Sequence, residues 1–177
     1  MKLLDKAKKY AFEKHEEVNH KYGKYPYRYH LTMVYNEACR FIDLIDIKDR
    51  ENVLSACYLH DIIEDARETY NDVLKNTNKE VAELVYALTN EKGKNRKERA
   101  NEKYYQGIRN TKNASFIKLC DRMANIDFSY QNGSSMFEKY KSEHRDFINS
   151  LDVHGLQIML ISISYTFRSC ESIKPTE

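Results

Sequence analysis

Residues 60–65 of the chain, His-Asp-Ile-Ile-Glu-Asp, place one histidine and three acids in six positions beside an apolar run. Histidine and carboxylate side chains are costly to hold next to a core unless they have a partner. His60 offers a neutral nitrogen and Asp61 a charged oxygen. Neighbouring helical residues point about 100° apart, but at a helix end both can still converge on one ion. A mixed nitrogen and oxygen donor set suits a divalent first-row metal. Two donors make a weak site, so others are needed. His30 follows an aromatic loop and opens a helix. Asp121 interrupts the apolar pattern of "FIKLCDRMAN". Together His30, His60, Asp61 and Asp121 make a set of two histidines and two aspartates that leaves positions for water and a substrate oxygen. Each also has a plainer reading. His30 fits a capping histidine, Asp121 half of an ion pair with Arg122, and Glu64 and Asp65 a solvated helix exit.

The elements that must position these residues are helical. The chain has 177 residues, 41% apolar and 32% charged, enough to bury one core and too apolar for disorder. Five Gly and two Pro favour long helices over a many-turned β fold. Apolar spacing predicts helices over 2–19, from His30 to about Ile45, over 50–60 with Asp49 as a cap, and from Thr77 with Glu80 three residues on. Further helices are expected over 100–110, 113–127, 135–150 and 152–169. Residues 20–29 and the charged stretch 91–100 read as loops, and 68–78 as a loop with a short helix. No segment alternates like a strand, so the expected class is all-α, a single domain over 1–177.

The net charge of +2 argues against a nucleic-acid footprint. The basic run "KGKNRKER" at 92–99 contains Glu98 and reads as a solvated loop. No run approaches a membrane span, and the charged N-terminus lacks an apolar signal segment. Cys39, Cys57, Cys120 and Cys170 show no CxxC spacing, and reduced thiols suit a cytoplasmic protein.

The order H…HD…D resembles that of the HD-domain metal-dependent phosphohydrolases. Within them, "YPYRYH" resembles the PYxxH of RelA/SpoT-type alarmone hydrolases, "YLHDIIED" their LLHDxxED block and "IKLCDRMANI" their KLADRLHN block. "RANEKYYQGI" is similar to the segment before that third block. The likeness covers roughly residues 5–150, and three ordered blocks are far more specific than HD alone.

The resemblance implies an HD-domain helical bundle with a central metal, typically manganese, on His30, His60, Asp61 and Asp121. It implies that Glu64 and Asp65 orient or deprotonate the attacking water and that Asn125 contacts the substrate. Arg122 is expected as a phosphate clamp or a structural ion-pair partner. Lys21, Lys24 and Arg28 would balance phosphate charge, and Tyr25, Tyr27 and Tyr29 offer a face for a base. The implied activity is removal of the 3′-pyrophosphate from the guanosine alarmones ppGpp and pppGpp by a stand-alone hydrolase, since the 177 residues leave no room for a synthetase domain. The competing expectations are hydrolysis of another phosphorylated nucleotide and a catalytically silent helical binding module, against which the intact ligand set argues. Leu31 stands where the family pattern has proline, and Phe128 where it commonly has threonine. His20 and Lys21 compete for the basic position that packs on the base. These departures bear on the choice of base, not on the metal chemistry.

Overall fold

In the computed structural model, which describes residues 2–169, the chain begins with helix α1 (Leu3–Glu17) and a two-residue antiparallel ribbon, β1 (Lys21–Tyr22) with β2 (Tyr25–Pro26). Lys21 pairs with Pro26 and Tyr22 with Tyr25, and Gly23 turns the ribbon at φ +59°. The expected loop 20–29 therefore contains a minute hairpin. Ten further helices follow among the described residues: α2 (Arg28–Arg40), α3 (Arg50–Leu59), α4 (Ile62–Asp65), α5 (Tyr70–Asn76), α6 (Lys79–Leu88), α7 (Arg96–Arg99), α8 (Glu102–Asn110), α9 (Ala114–Gln131), α10 (Met136–Asn149) and α11 (Gln157–Ser169). The all-α expectation holds. Cys170 lies outside the described residues.

Helix α9 is the axis of the fold. It packs on α2, α3, α6, α8, α10 and α11, and most of its residues are buried all round, as expected of a central helix. Phe116, Ile117, Leu119 and Ala124 supply its apolar contacts, meeting Leu31 and Val34 of α2 and Val53, Ala56 and Leu59 of α3 in one continuous core. Truncating one such Ile or Leu to Ala costs about 2–5 kcal/mol.

The local signals explain several boundaries. Thr69 and Asp72 form a reciprocal capping box at the start of α5, worth about 0.5–2 kcal/mol. The cap of α6 is Asn78, whose side chain accepts from the Val81 amide. Thr77, expected in that role, instead donates to the Val73 carbonyl at 2.6 Å and closes α5. Asp49 does precede α3, but its carboxylate goes to Lys112 at 2.8 Å rather than to the helix amides. Helix α2 ends at Arg40, and a 3₁₀ turn over Ile42–Leu44 completes the segment expected to be helical throughout. Cys39 is exposed while Cys57 and Cys120 are buried, all three as free thiols. No helix among the described residues is long and apolar enough to cross a membrane.

Candidate active site

The dyad lies where α3 stops. His60 is the C-cap of that helix and Asp61, at φ −106° and ψ 4°, precedes α4. The break turns the Asp61 carboxylate back toward the His60 ring, and Asp61 Oδ2 lies 2.8 Å from His60 Nε2. The other ring nitrogen, His60 Nδ1, donates to the Cys57 carbonyl at 2.9 Å. That bond holds the ring with Nε2 facing the site, where it becomes a donor atom once its proton is lost.

His30, in the first turn of α2, brings its Nε2 to 3.3 Å from His60 Nε2, 3.7 Å from Asp61 Oδ2 and 3.3 Å from Asp121 Oδ1. Asp121 Oδ1 is 3.7 Å from His60 Nε2. Three segments far apart in sequence thus converge four donor atoms. His30, His60 and Asp121 are buried and form a group able to hold a metal ion. Donors at about 2.1 Å from a shared cation and at right angles to one another lie about 3.0 Å apart, so the spacings fit one ion at the centre. Two carboxylates with two imidazoles match a hard-to-borderline divalent cation.

The electrostatics point the same way. Burial opposes charge on His60, yet Asp61 and Asp121 push its pKa up to about 9. Burial also opposes charge on Asp61 and Asp121. The histidines hold Asp61 below the usual carboxylate range, and Lys118 with the histidines holds Asp121 well below it. The cluster is a cation-seeking centre.

Around it stands a shell of supports. Lys118 donates to Asp121 Oδ2 at 2.9 Å. Asn125 donates to Asp121 Oδ1 at 2.6 Å and accepts from the Tyr22 hydroxyl at 2.7 Å. Tyr22 lies parallel over the His30 ring at 4.6 Å. The Tyr27 hydroxyl donates to Asp61 Oδ2. His15 and His20 share a 2.9 Å bond between their Nδ1 atoms and stack on Tyr27 at 4.6 and 3.7 Å.

Several expected roles look different in place. Asn125 is committed to Tyr22 and Asp121 rather than free toward a substrate. Tyr27 is buried and covered, so its ring offers no open face for a base. Tyr25 and Tyr29 stack on each other at 4.6 Å, with Tyr29 partly exposed. Arg122 is buried with its guanidinium over the rings of Phe147 at 4.0 Å and Tyr140 at 4.7 Å, and 3.8 Å from Glu143. Of its two expected roles, those contacts favour the structural one. Lys21, Lys24 and Arg28 are exposed along the hairpin. Lys21 and Arg28 line a cavity of about 130 Å³ with His15, His20 and Tyr27.

The acid pair splits. The Glu64 carboxylate, expected beside the metal edge, is held by the Asn90 amide side chain at 2.8 and 2.9 Å. Asp65 reaches solvent, yet partial burial and the Asp61 and Glu64 carboxylates push its pKa up to about 7. Phe128 is half-buried rather than in the core. It lies 4.3 Å from the Tyr22 ring and under Gly23, where an added Cβ would meet its ring at 3.2 Å. The supports the sequence reading missed were Lys118 and Tyr22. Lys118 had a signal, its place three residues before Asp121 on the same helix face. Tyr22 had none beyond membership of an aromatic loop.

The arrangement is an all-α bundle with the histidine–aspartate dyad at its heart. Over the whole fold it is similar to a solved structure described as a metazoan ortholog of SpoT that hydrolyzes ppGpp and plays a role in starvation responses. The TM-score is 0.71 at 23% sequence identity, covering 96% of each chain. In sequence the chain is similar to the guanosine-3′,5′-bis(diphosphate) 3′-pyrophosphohydrolase MESH1 of Drosophila melanogaster. The two are 32% identical over 122 residues, 66% of this chain and 64% of that protein. The match thus spans a little under two thirds of the relative's length. No family model matches the chain.

Proposed function

We propose that the chain is a metal-dependent phosphohydrolase of the HD type, a single hydrolase domain over 1–177, that removes the 3′-pyrophosphate from ppGpp or pppGpp. The observation that carries this reading is the convergence of His30 Nε2, His60 Nε2, Asp61 Oδ2 and Asp121 Oδ1. The sequence likeness to an enzyme named for this activity supports the choice of substrate.

Those four residues would hold the cation, with manganese the proposed metal. When bound, it supplies a water of lowered pKa and neutralises charge on the phosphate under attack. The chain's own residues do the rest. Tyr27 and Asn125 hold the carboxylates of Asp61 and Asp121 in place. Asp65 has a pKa near working pH and, among the described residues, no side-chain bond that commits it, and it takes the water's proton. Glu64, fixed by Asn90, keeps negative charge beside Asp65 and so preserves its basicity. Lys21 and Lys24 from the hairpin and Arg28 from the start of α2 meet the phosphate charge. Tyr29, backed by Tyr25, gives a base a face to stack on.

A second reading keeps the chemistry and changes the nucleotide. It is favoured by Phe128 packing where the family pattern has a small hydroxyl residue, which removes one polar contact able to select guanine. The test is incubation of the purified protein with manganese and a nucleotide panel, with products separated by chromatography. Release of pyrophosphate from ppGpp, leaving GDP, is expected. Turnover confined to adenosine or deoxynucleotide substrates would favour the second reading, and no turnover of any nucleotide would contradict both.

A further inference from the structure

The two histidines of the cluster are held by different means. His60 Nδ1 donates to the Cys57 carbonyl at 2.9 Å. His30 Nδ1 is buried and has no hydrogen-bond partner among the described residues. A ligating histidine ordinarily donates its second ring N–H, and that bond fixes the plane of the ring. For His30 the plane must be fixed by packing instead. Tyr22 lies over the His30 ring with centroids 4.6 Å and planes 28° apart. Tyr27 meets the same ring at 5.3 Å and 57°, and is itself tied to Asp61.

Tyr22 also reaches a second ligand. Its hydroxyl donates to Asn125 Oδ1 at 2.7 Å. The Asn125 side-chain nitrogen donates to Asp121 Oδ1 at 2.6 Å and to the Asp121 carbonyl at 2.9 Å. An ionised carboxylate only accepts, so the amide nitrogen faces Asp121 and the amide oxygen is left to Tyr22. One side chain of the hairpin thus bears on a donor of α2 and on a donor of α9. Tyr22 is braced in turn by Phe128 of α9, whose ring meets it at 4.3 Å and lies so close under Gly23 that an added Cβ would stand 3.2 Å away.

We propose that Tyr22 is a positioning residue of the cation site, orienting His30 through its ring and Asp121 through Asn125, so that closure of the hairpin on α9 and binding of the cation are coupled. The proposal rests on the reading of His30, His60, Asp61 and Asp121 as a cation site. It gives Phe128 a task, that of holding Tyr22 and the hairpin against α9. Such coupling is reciprocal: the factor by which the closed hairpin favours the cation is the factor by which the cation favours the closed hairpin. Lys21 and Lys24, on the same hairpin, are then brought into place for phosphate by the ion.

The test titrates the metal-free full chain with manganese, reading the free ion by electron paramagnetic resonance, and follows hydrogen exchange over residues 18–29 by mass spectrometry. Tyr22→Leu removes ring and hydroxyl and should weaken manganese binding by about 10–100-fold, as the loss of an outer-shell partner does. Tyr22→Phe keeps the ring and should recover all but about 2–10-fold, the worth of one neutral hydrogen bond. Phe128→Thr removes no donor atom, yet should weaken binding in the same direction. Manganese should slow exchange of the hairpin amides in the wild type and leave it unchanged in Tyr22→Leu. Tyr22 variants that melt lower but bind manganese as the wild type does would assign Tyr22 a structural role and overturn the proposal. Hairpin exchange in the wild type that is indifferent to manganese would also overturn it. A wild type that binds no manganese would instead remove the cation reading itself, and the proposal with it.

Discussion

The ligand cluster and its rim lie side by side and are built on opposite terms. At the cluster, His30, His60 and Asp121 are buried, every donor faces another within 3.7 Å, and Tyr27, Lys118 and Asn125 hold the carboxylates from behind. At the rim, Lys21, Lys24, Arg28, Glu64 and Asp65 are exposed, and Glu64 is held by Asn90 while Lys24 rests over the Tyr25 ring. The difference separates two tasks. An ion needs donors fixed in advance, because moving a carboxylate through a packed interior is costly. A polyphosphate and a water need charges that can adjust.

The contrast breaks most sharply at the cluster. His60→Ala or Asp61→Ala should reduce hydrolysis to background and abolish metal binding, while circular dichroism retains its helical signal. Retained activity with a normal metal requirement would erase the distinction. At the rim, Asp65→Asn should lower kcat by ~10²–10⁴, the usual contribution of a positioned base, with metal content unchanged. Glu64→Gln should cost less, because the amide still reaches Asn90; an equal loss of metal would move Glu64 into the cluster. Tyr27→Phe sharpens the boundary between the two. It keeps the ring that stacks on His15 and His20 but removes the bond to Asp61. Metal affinity should fall by about 10–100-fold, with kcat near normal at saturating metal. Loss of kcat alone would instead place Tyr27 at the substrate.

An effect on stability rather than on catalysis concerns the packing behind Tyr27. Burial pushes the His15 pKa from 6.5 down to about 4. The unfolded chain takes up the proton first, so this contribution is complete above about pH 6.5 and is lost as the pH falls toward about 4. The loss amounts to about 3 kcal/mol. Urea unfolding of wild type and His15→Phe across that range checks it: the wild-type slope should be steeper.

How much of this was legible in the sequence follows the same division. The four clustered residues were readable because His60, Asp61 and Asp121 are polar groups set beside apolar helical patterns, and because with His30 their order along the chain resembles that of one family. The helices were readable from periodicity, while caps were misplaced where two side chains competed, as Thr77 did with Asn78. The supports were hidden. Tyr22, Asn125 and Tyr27 act through contacts between segments distant in sequence, 103 residues apart for Tyr22 and Asn125. Glu64 was assigned to the water, with Asp65, by the family resemblance, and a resemblance of short blocks does not reveal that the loop after α6 supplies Asn90 to hold it.

The central claim is that His30, His60, Asp61 and Asp121 form one cation site. It is tested most directly by titrating metal-free protein with manganese while following both the free-ion signal by electron paramagnetic resonance and the protons released. Because Asp61 and Asp121 push the His60 pKa up to about 9, the account predicts one ion bound per chain near pH 7, release of about one proton as His60 gives up Nε2, and loss of both in His60→Ala. Absence of manganese binding by the wild type, or binding that His60→Ala leaves unchanged, would contradict it.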